Sequence, residues 1–304
     1  MVRFGVIKIS KFDQSLTMHV LIAGGTGFIG KALREKLKEQ GIESSVLTRT
    51  PSAPHHIGWD PERGKIDAVK LPKVTHVINL AGAGIAEKRW TEKRKKELRE
   101  SRTRTTEFLH VSIVKYAKDV VNYIGISGVN AFGFLDNKVY NESDDFGNDF
   151  LSQLVKEWEK AHRLFEALPF FSILRLGMVL SPKGGAYQKI AQPIKWGLGA
   201  VPGSGQQLVP WIHLEDTVQL IIACLKAPKG LVHAVVECAT MNDITFAIAA
   251  SEKKKIFLPN IPSFVIHIRF GEMGHLLTKS LRVSNTNLFK TFQPSYNQLS
   301  LLKN

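Results

Sequence analysis

The sequence predicts an α/β fold built on a doubly wound parallel sheet, with a small C-terminal α/β domain. Residues 20–23 form an apolar run of strand length, a glycine-rich turn follows at once, and apolar residues then recur at helical spacing up to Gly41. Further apolar runs of strand type at 75–80, 120–126 and 171–180 alternate with helical segments. This alternation is typical of a parallel sheet with helices on both faces.

The turn between the first strand and the first helix has the spacing Gly-x-Gly-x-x-Gly. Its glycines are Gly25, Gly27 and Gly30, with Gly24 directly before them. Glycines in such a turn allow a tight bend, close approach of a pyrophosphate to the backbone, and close packing of helix against strand. The helix that follows offers free N–H groups and the positive end of its dipole to phosphates. We therefore expect a nucleotide site here; the alternative is a glycine turn that binds nothing.

The second predicted strand, 42–48, is followed by Arg49. At this point of a dinucleotide site an acidic residue holds the ribose 2′-hydroxyl, whereas an arginine accommodates a 2′-phosphate. No Asp or Glu competes with Arg49 at the end of the strand, and a guanidinium matches the geometry of a phosphate. The sequence therefore favours NADP over NAD, the alternative being a surface arginine in a loop.

The composition limits the class of protein. In a chain of 304 residues, 44% of them hydrophobic, there is enough apolar material for one large core or a core with a smaller satellite. No apolar run reaches the ~18–20 residues of a membrane span, so we expect no membrane segment. Cys224 and Cys238 have no His or Cys at ligand spacing, which predicts no metal and a reduced compartment. Much of the net charge of +14 lies in 88–104 among interleaved glutamates, so we expect no nucleic-acid partner.

The motifs, taken together and in chain order, resemble those of the short-chain dehydrogenase/reductase superfamily. More narrowly, the chain is similar to its atypical, NAD-dependent epimerase/dehydratase-like branch of epimerase family proteins. The segments that carry the resemblance are 24–30, Arg49, Asn79-Leu-Ala-Gly82, Ser127, Asp149-Phe-Leu151, Trp158-Glu159, Arg175-Leu-Gly177, Pro210-Trp-Ile-His213 and Gly271-Glu-Met273.

The resemblance implies an NADP(H)-binding Rossmann domain, a small C-terminal substrate domain and, often, a homodimer formed through two helices. The helices predicted at 90–118 and 150–168 are the candidate dimer surfaces. Carried over to this sequence, and added to the glycines above, the implied cofactor contacts are Thr26, Gly27, Phe28, Ile29, Arg49, Leu80, Ala81, Gly82 and Glu142.

The resulting division of the chain has three parts. Residues 1–17 form an N-terminal extension, 18–180 form the NADP-binding Rossmann domain, and 181–304 contain a glycine-rich loop, the last Rossmann elements and the substrate domain. The basic extension is either a presequence or the product of an upstream start, since Met18 would itself begin the first strand. We expect a cytoplasmic protein, or a mitochondrial one if the extension is a presequence.

The tyrosine and lysine that serve as acid/base groups in the superfamily are missing here. The start of the helix at 150–155 contains neither residue type, and its Phe and Leu side chains cannot transfer protons. Two candidates remain: Ser127, a carbonyl hydrogen-bond donor or a simple strand cap, and His213, an acid/base or a packing residue. We predict an NADP-dependent oxidoreductase or epimerase with an unknown carbonyl or sugar-like substrate. The alternative is a non-catalytic NADP(H)-binding sensor or scaffold.

Overall fold

The computed structural model describes residues 18–134 and 138–302, so the predicted extension at 1–17 lies outside the described residues. The strands are β1 (His19–Ala23), β2 (Glu43–Thr48), β3 (His56–Asp60), β4 (Lys65–Ile66), β5 (His76–Asn79), β6 (Asn122–Gly128), β7 (Val139–Tyr140), β8 (Phe170–Leu176), β9 (Met178–Ser181), β10 (Leu208–His213), β11 (Gly230–Ala234), β12 (Glu237–Thr240) and β13 (Arg282–Val283). The α-helices are α1 (Phe28–Glu39), α2 (Glu92–Glu100), α3 (Thr103–Tyr116), α4 (Phe150–His162), α5 (Gly185–Lys195), α6 (Leu214–Lys226), α7 (Met241–Ser251), α8 (Ser263–Phe270), α9 (His275–Thr278) and α10 (Thr286–Thr291).

The main sheet has eight strands in the order β11-β8-β6-β5-β1-β2-β3-β4. Neighbouring strands are parallel throughout, except for the antiparallel pair β3–β4. The chain winds outward in both directions from β1, so β1 and β5 flank the point where the strand order reverses. In such sheets, ligands bind at the carboxyl ends of the strands beside this point. The predicted α/β fold with a doubly wound parallel sheet is confirmed.

The strand β1 is buried on both faces, as its apolar run predicts. Val20 and Ile22 belong to the same apolar cluster as residues of α1 and α6, and Leu21 and Ala23 to a second cluster that includes α3. Because successive side chains of a strand point to opposite faces, this alternation places helices on both sides of β1. Residues beyond 181 also enter the main sheet, as β11, and contribute β10, β12 and β13 to the smaller sheets β12-β10-β9 and β13-β7.

The sequence predicts one helix over 90–118, and this is wrong: the structure has two helices, α2 and α3. The break lies at Ser101 and Arg102. Both side chains turn back to the carbonyl oxygen of Leu98, with the Ser101 hydroxyl at 3.1 Å and Nη1 of Arg102 at 3.0 Å. These donors satisfy a carbonyl at the end of α2 and allow the chain to change direction.

The prolines, glycines and alternating charges of 55–73 predict a loop, but the structure places the strands β3 and β4 there. The β3 residues Ile57 and Trp59 are buried and alternate with Gly58 and Asp60, but a run of five residues that includes a glycine and an aspartate, both depleted in strands, is a weak signal. Burial against the neighbouring strand, rather than local propensity, forms this strand. Only residues 49–55 connect β2 to β3, without a helix. In the described ranges, no helix is both long and apolar enough to cross a membrane.

Candidate dinucleotide-binding site

The turn between β1 and α1 is packed too closely for side chains at three of its glycines. Gly24 has φ +80°, and a Cβ atom there would lie 2.7 Å from the carbonyl carbon of Leu80. A Cβ at Gly25 would lie 2.8 Å from a methyl group of Val46, and one at Gly30 would lie 2.6 Å from the Cα of Gly25. These positions keep the turn, the end of β5 and the start of α1 in direct contact.

The amino end of α1 is available to a ligand. Gly27 is the N-cap residue, and no side chain in the described part of the chain caps the helix there. The Gly27 amide donates to the carbonyl of Gly24 at 3.1 Å and closes the turn, while Thr26 and Gly27 are exposed. Uncapped amides and the helix dipole make this end suitable for binding a phosphate.

Phe28 joins the turn to the glycine-rich region that follows β9. A Cβ atom at Gly184 or at Gly185 would lie 2.8 Å from its ring. Phe28 and its neighbour Ile29 are half-buried and pack against the main core cluster. Both therefore shape the site, whereas the small residues at 184 and 185 make room for the aromatic ring.

The loop after β5 is positioned by a buried asparagine, Asn79, which the sequence alone does not identify as a site residue. The side-chain amide of Asn79 donates to the hydroxyls of Thr106 at 2.9 Å and Tyr123 at 3.2 Å. Its carbonyl oxygen accepts from the backbone amide of Ala81 at 3.1 Å. Asn79 thus fixes the predicted contacts Leu80, Ala81 and Gly82 against the glycine turn.

A neutral histidine, His162, is linked to Asn79 through the hydroxyl of Tyr123. The Tyr123 hydroxyl lies 2.6 Å from Nδ1 of His162, and Nε2 of His162 lies 3.0 Å from the carbonyl oxygen of Ile126. Since the carbonyl can only accept, Nε2 carries the proton and Tyr123 donates to Nδ1. Burial lowers the pKa of His162 to about 4 and raises the pKa of Tyr123. The chain from His162 to Asn79 therefore carries no charge at neutral pH.

Arg49 is the residue predicted to contact a 2′-phosphate. It is exposed and directly follows the last residue of β2, the strand beside β1. Within residues 18–134 and 138–302 it makes no hydrogen bond or ion pair, so its guanidinium is free to bind a ligand.

A groove of about 630 Å³ lies beside α1, but at the opposite end of the strands. It is lined by His19 and Glu43, the first residues of β1 and β2, together with Lys31, Arg34 and other residues of the α1 flank. The glycine turn follows the last residue of β1. The groove is therefore not the predicted dinucleotide site.

Comparison with known proteins settles the family. Residues 20–239 match the profile described as "NAD dependent epimerase/dehydratase family". The chain belongs to this family. The result confirms the predicted resemblance to the atypical, epimerase-like short-chain dehydrogenases/reductases.

Individual relatives match most of the chain. "Epimerase family protein SDR39U1" of Mus musculus is 34% identical over 290 residues, which cover 93% of this chain and 97% of the relative. "Epimerase family protein Mb2239" of Mycobacterium bovis is 34% identical over 260 residues, which cover 84% of this chain and 85% of the relative. The crystal structure of human epimerase family protein SDR39U1 (isoform2) with NADPH is similar in fold, with a TM-score of 0.84 and 32% sequence identity. The match covers 94% of this chain and 97% of the human chain.

In this member of the epimerase/dehydratase family, Ser127 is part of a buried ion-pair cluster. Its hydroxyl donates to Oε1 of Glu159 at 2.9 Å. Arg175 binds the same carboxylate through Nε at 2.6 Å and Nη2 at 2.8 Å. The Ser127 proton is thus held by Glu159, while the oxygen keeps a lone pair for a further donor. Its catalytic role stays a prediction.

His213 ends β10 and caps the helix that follows. Its Nδ1 accepts from the amide of Glu215 at 3.2 Å, and its ring stacks on Tyr296 with ring centroids 3.8 Å apart. Burial lowers the pKa of His213, so the ring is neutral at pH 7. Through these contacts His213 caps the start of α6 and packs against Tyr296. An acid/base role for His213 stays a prediction.

Glu142 contacts a different part of the fold. One carboxylate oxygen accepts from the amide of His233 in β11 at 3.0 Å, and the other from the side chain of Asn287 in α10 at 2.9 Å. The structure therefore joins Glu142 to these late elements and not to the glycine turn. Among the residues that the structure describes, no group of three or more His, Cys, Asp or Glu could hold a metal ion.

Proposed function

We propose that this chain binds NADP(H) at the β1–α1 turn and uses it as an oxidoreductase or epimerase on a carbonyl or sugar-like substrate. The single observation that carries the proposal is the exposed Arg49, which has no partner among residues 18–134 and 138–302, beside a glycine turn whose helix end has no side-chain cap in the same ranges. The NADPH in the crystal structure of the similar human protein also supports it.

The residues around the turn suit each part of such a cofactor. The amides at the start of α1 and the backbone of Gly24–Gly27 suit the diphosphate, and Arg49 suits the 2′-phosphate. Asn79 holds Leu80–Gly82 beside them. Once bound, the nicotinamide ring would supply hydride transfer, which protein side chains cannot perform alone.

The first test is the choice between NADPH and NADH. We expect Arg49→Ala to weaken NADPH binding about 10- to 100-fold, the effect of losing a hydrogen bond between charged groups. NADH binding should stay within about twofold, because NADH lacks the 2′-phosphate. Titration calorimetry with both nucleotides measures the two dissociation constants.

A matched control is Arg63→Ala, which removes an exposed arginine near β4 that is ion-paired with Asp60. It should change neither affinity. Failure of the wild-type protein to bind either nucleotide would refute the proposal, and equal losses for both nucleotides in Arg49→Ala would refute the role of Arg49.

A second candidate function is a non-catalytic NADP(H) sensor or scaffold. The observation in its favour is that the two acid/base candidates are used within the protein: the Ser127 proton goes to Glu159, and Nδ1 of His213 caps α6. The canonical partners, a tyrosine and a lysine at the start of α4, are replaced by residues that do not titrate.

Turnover separates the two functions. If the chain is an enzyme, some member of a panel of carbonyl compounds should oxidise NADPH, and Ser127→Ala should slow this reaction about tenfold or more. Ser44→Ala, at the other end of the strands, is the control and should react at the wild-type rate. NADPH absorbance follows the reaction; tight binding without oxidation by any compound supports the sensor.

The homodimer implied by the resemblance also stays a proposal. Val111 and Val114 on α3 are 58% and 61% exposed, and Leu164, just after α4, is 44% exposed. Apolar side chains exposed on α3 and just after α4 suit contact with a second copy of the chain.

A further inference from the structure

A buried arginine lies against the loop that follows β5. Arg102, between α2 and α3, has only 8% of its surface exposed. A Cβ atom added to Gly82 would lie 3.4 Å from Cγ and Cζ of Arg102 and 3.6 Å from its Nε. The guanidinium also lies over the ring of Trp158, 4.9 Å from the ring centroid. The cation is therefore packed against both a glycine backbone and an indole.

This guanidinium has no acidic partner in the ranges 18–134 and 138–302. Nη2 donates to the carbonyl of Ala83 and Nη1 to that of Leu98, both at 3.0 Å, and Nε makes no hydrogen bond there. The equally buried Arg94 differs, because it pairs with Glu97 at 2.7 Å. Burying a charge without a counter-charge is unfavourable, so an anionic ligand would relieve this cost at Arg102.

Arg102 remains a cation at neutral pH. Burial lowers its pKa most, Arg94 lowers it further and Glu87 raises it, which leaves a pKa of about 10. A charge-assisted hydrogen bond from such a group to a phosphate is among the stronger contacts available in a protein.

The position of Arg102 relative to the glycine turn indicates the ligand. A Cβ at Gly24 would lie 2.7 Å from the carbonyl carbon of Leu80 and 2.8 Å from the amide nitrogen of Ala81. The next residue, Gly82, is exposed, and it lacks the side chain that would cover Nε of Arg102. The guanidinium and Gly24, the first glycine of the turn, therefore lie at opposite ends of one short stretch of loop, residues 80–82.

We propose that Arg102 binds the diphosphate of the dinucleotide and supplies the full positive charge that the backbone amides of the turn lack. This inference rests on the proposed function. Arg49 and Arg102 then have separate tasks, since Arg49 recognises the phosphate that distinguishes NADPH from NADH, and Arg102 recognises a group that both nucleotides contain.

The test compares both nucleotides in two variants. We expect Arg102→Gln to weaken NADPH and NADH by the same factor, about 10- to 100-fold, and so to leave their affinity ratio unchanged. Arg104→Gln is the matched control: Arg104 lies two residues further along, in α3, is exposed and pairs with Glu100 at 3.2 Å. It should leave both affinities at the wild-type values in titration calorimetry.

A measurement on the wild-type protein covers the case in which Arg102→Gln does not fold. The ¹⁵N–¹H resonance of Arg102 Nε, assigned by its loss in Arg102→Lys, should move downfield when either NADPH or NADH is added. An unmoved resonance, or unchanged affinities in folded Arg102→Gln, would refute the role of Arg102 and leave the proposed function standing. Wild-type protein that binds neither nucleotide overturns the proposed function as well.

Discussion

Replacing Glu159 by glutamine is expected to lower the free energy of unfolding by about 3–5 kcal/mol, the cost of breaking a buried ion pair. Arg175 is 1% exposed and makes two hydrogen bonds to the Glu159 carboxylate, at 2.6 and 2.8 Å. The variant would leave this guanidinium buried beside a neutral amide. Ser127 would also lose the charged acceptor of its proton.

A second glutamate on the same helix provides the control. Glu157 pairs with Arg99 at 2.8 Å, but both side chains are 41% exposed. Because water screens exposed pairs, Glu157→Gln should cost less than about 1 kcal/mol. Urea unfolding of the three proteins measures the difference, and equal losses in the two variants would contradict a special role for burial.

The second large effect is a dependence of stability on pH that belongs to His162. The buried ring has a pKa of about 4, lowered from its ordinary value of 6.5. The folded protein therefore excludes a proton that the unfolded chain accepts, so stability is full above pH 6.5 and is lost as the pH falls toward 4. The loss attributable to this residue is about 3 kcal/mol.

A variant without the imidazole isolates this contribution. His162→Gln keeps a donor for the Ile126 carbonyl but does not titrate, and it should be less stable than wild type at pH 7. We expect the difference in unfolding free energy to shrink by about 3 kcal/mol between pH 6.5 and pH 4. The control His110→Gln, at a half-buried site on α3, should show a much smaller change, and parallel curves for His162→Gln would rule out the neutral buried ring.

The local features of the fold could be predicted from the sequence. The apolar run at 20–23, the glycine spacing and the helix after it are contiguous, so pattern and turn chemistry suffice to place β1, the turn and α1. The position of Arg49 at the end of β2 follows from the same reasoning. The strand β3, which lies between β2 and the two-residue edge strand β4, is not predicted, because a run of five residues with a glycine and an aspartate, two residue types that are depleted in strands, is too short to identify.

The features that were missed depend on contacts between distant parts of the chain. The break between α2 and α3 involves Arg102, whose side chain reaches a carbonyl 19 residues earlier, that of Ala83. The link from Asn79 to Tyr123 spans 44 residues, and the bond that holds the Ser127 proton reaches Glu159, 32 residues away. A buried polar residue at the end of an apolar strand was the available signal for Asn79, but its partners were not readable from the sequence.

The short connection between β2 and β3 contains Arg49, the residue proposed to distinguish NADPH from NADH. Residues 49–55 form a short segment whose far end is anchored: the Ser52 amide donates to Nδ1 of His56 at 3.2 Å, the His56 amide donates to the carbonyl of Ala53 at 2.9 Å, and the Val46 amide donates to the carbonyl of His55 at 2.9 Å. Arg49 stands at the start of this segment, outside the apolar clusters on both faces of β1. On the proposal that Arg49 recognises the 2′-phosphate, substitutions within residues 49–55 are expected to change the preference between NADPH and NADH, and with it the redox pool on which the protein draws, while the glycine turn and Arg102 stay as they are.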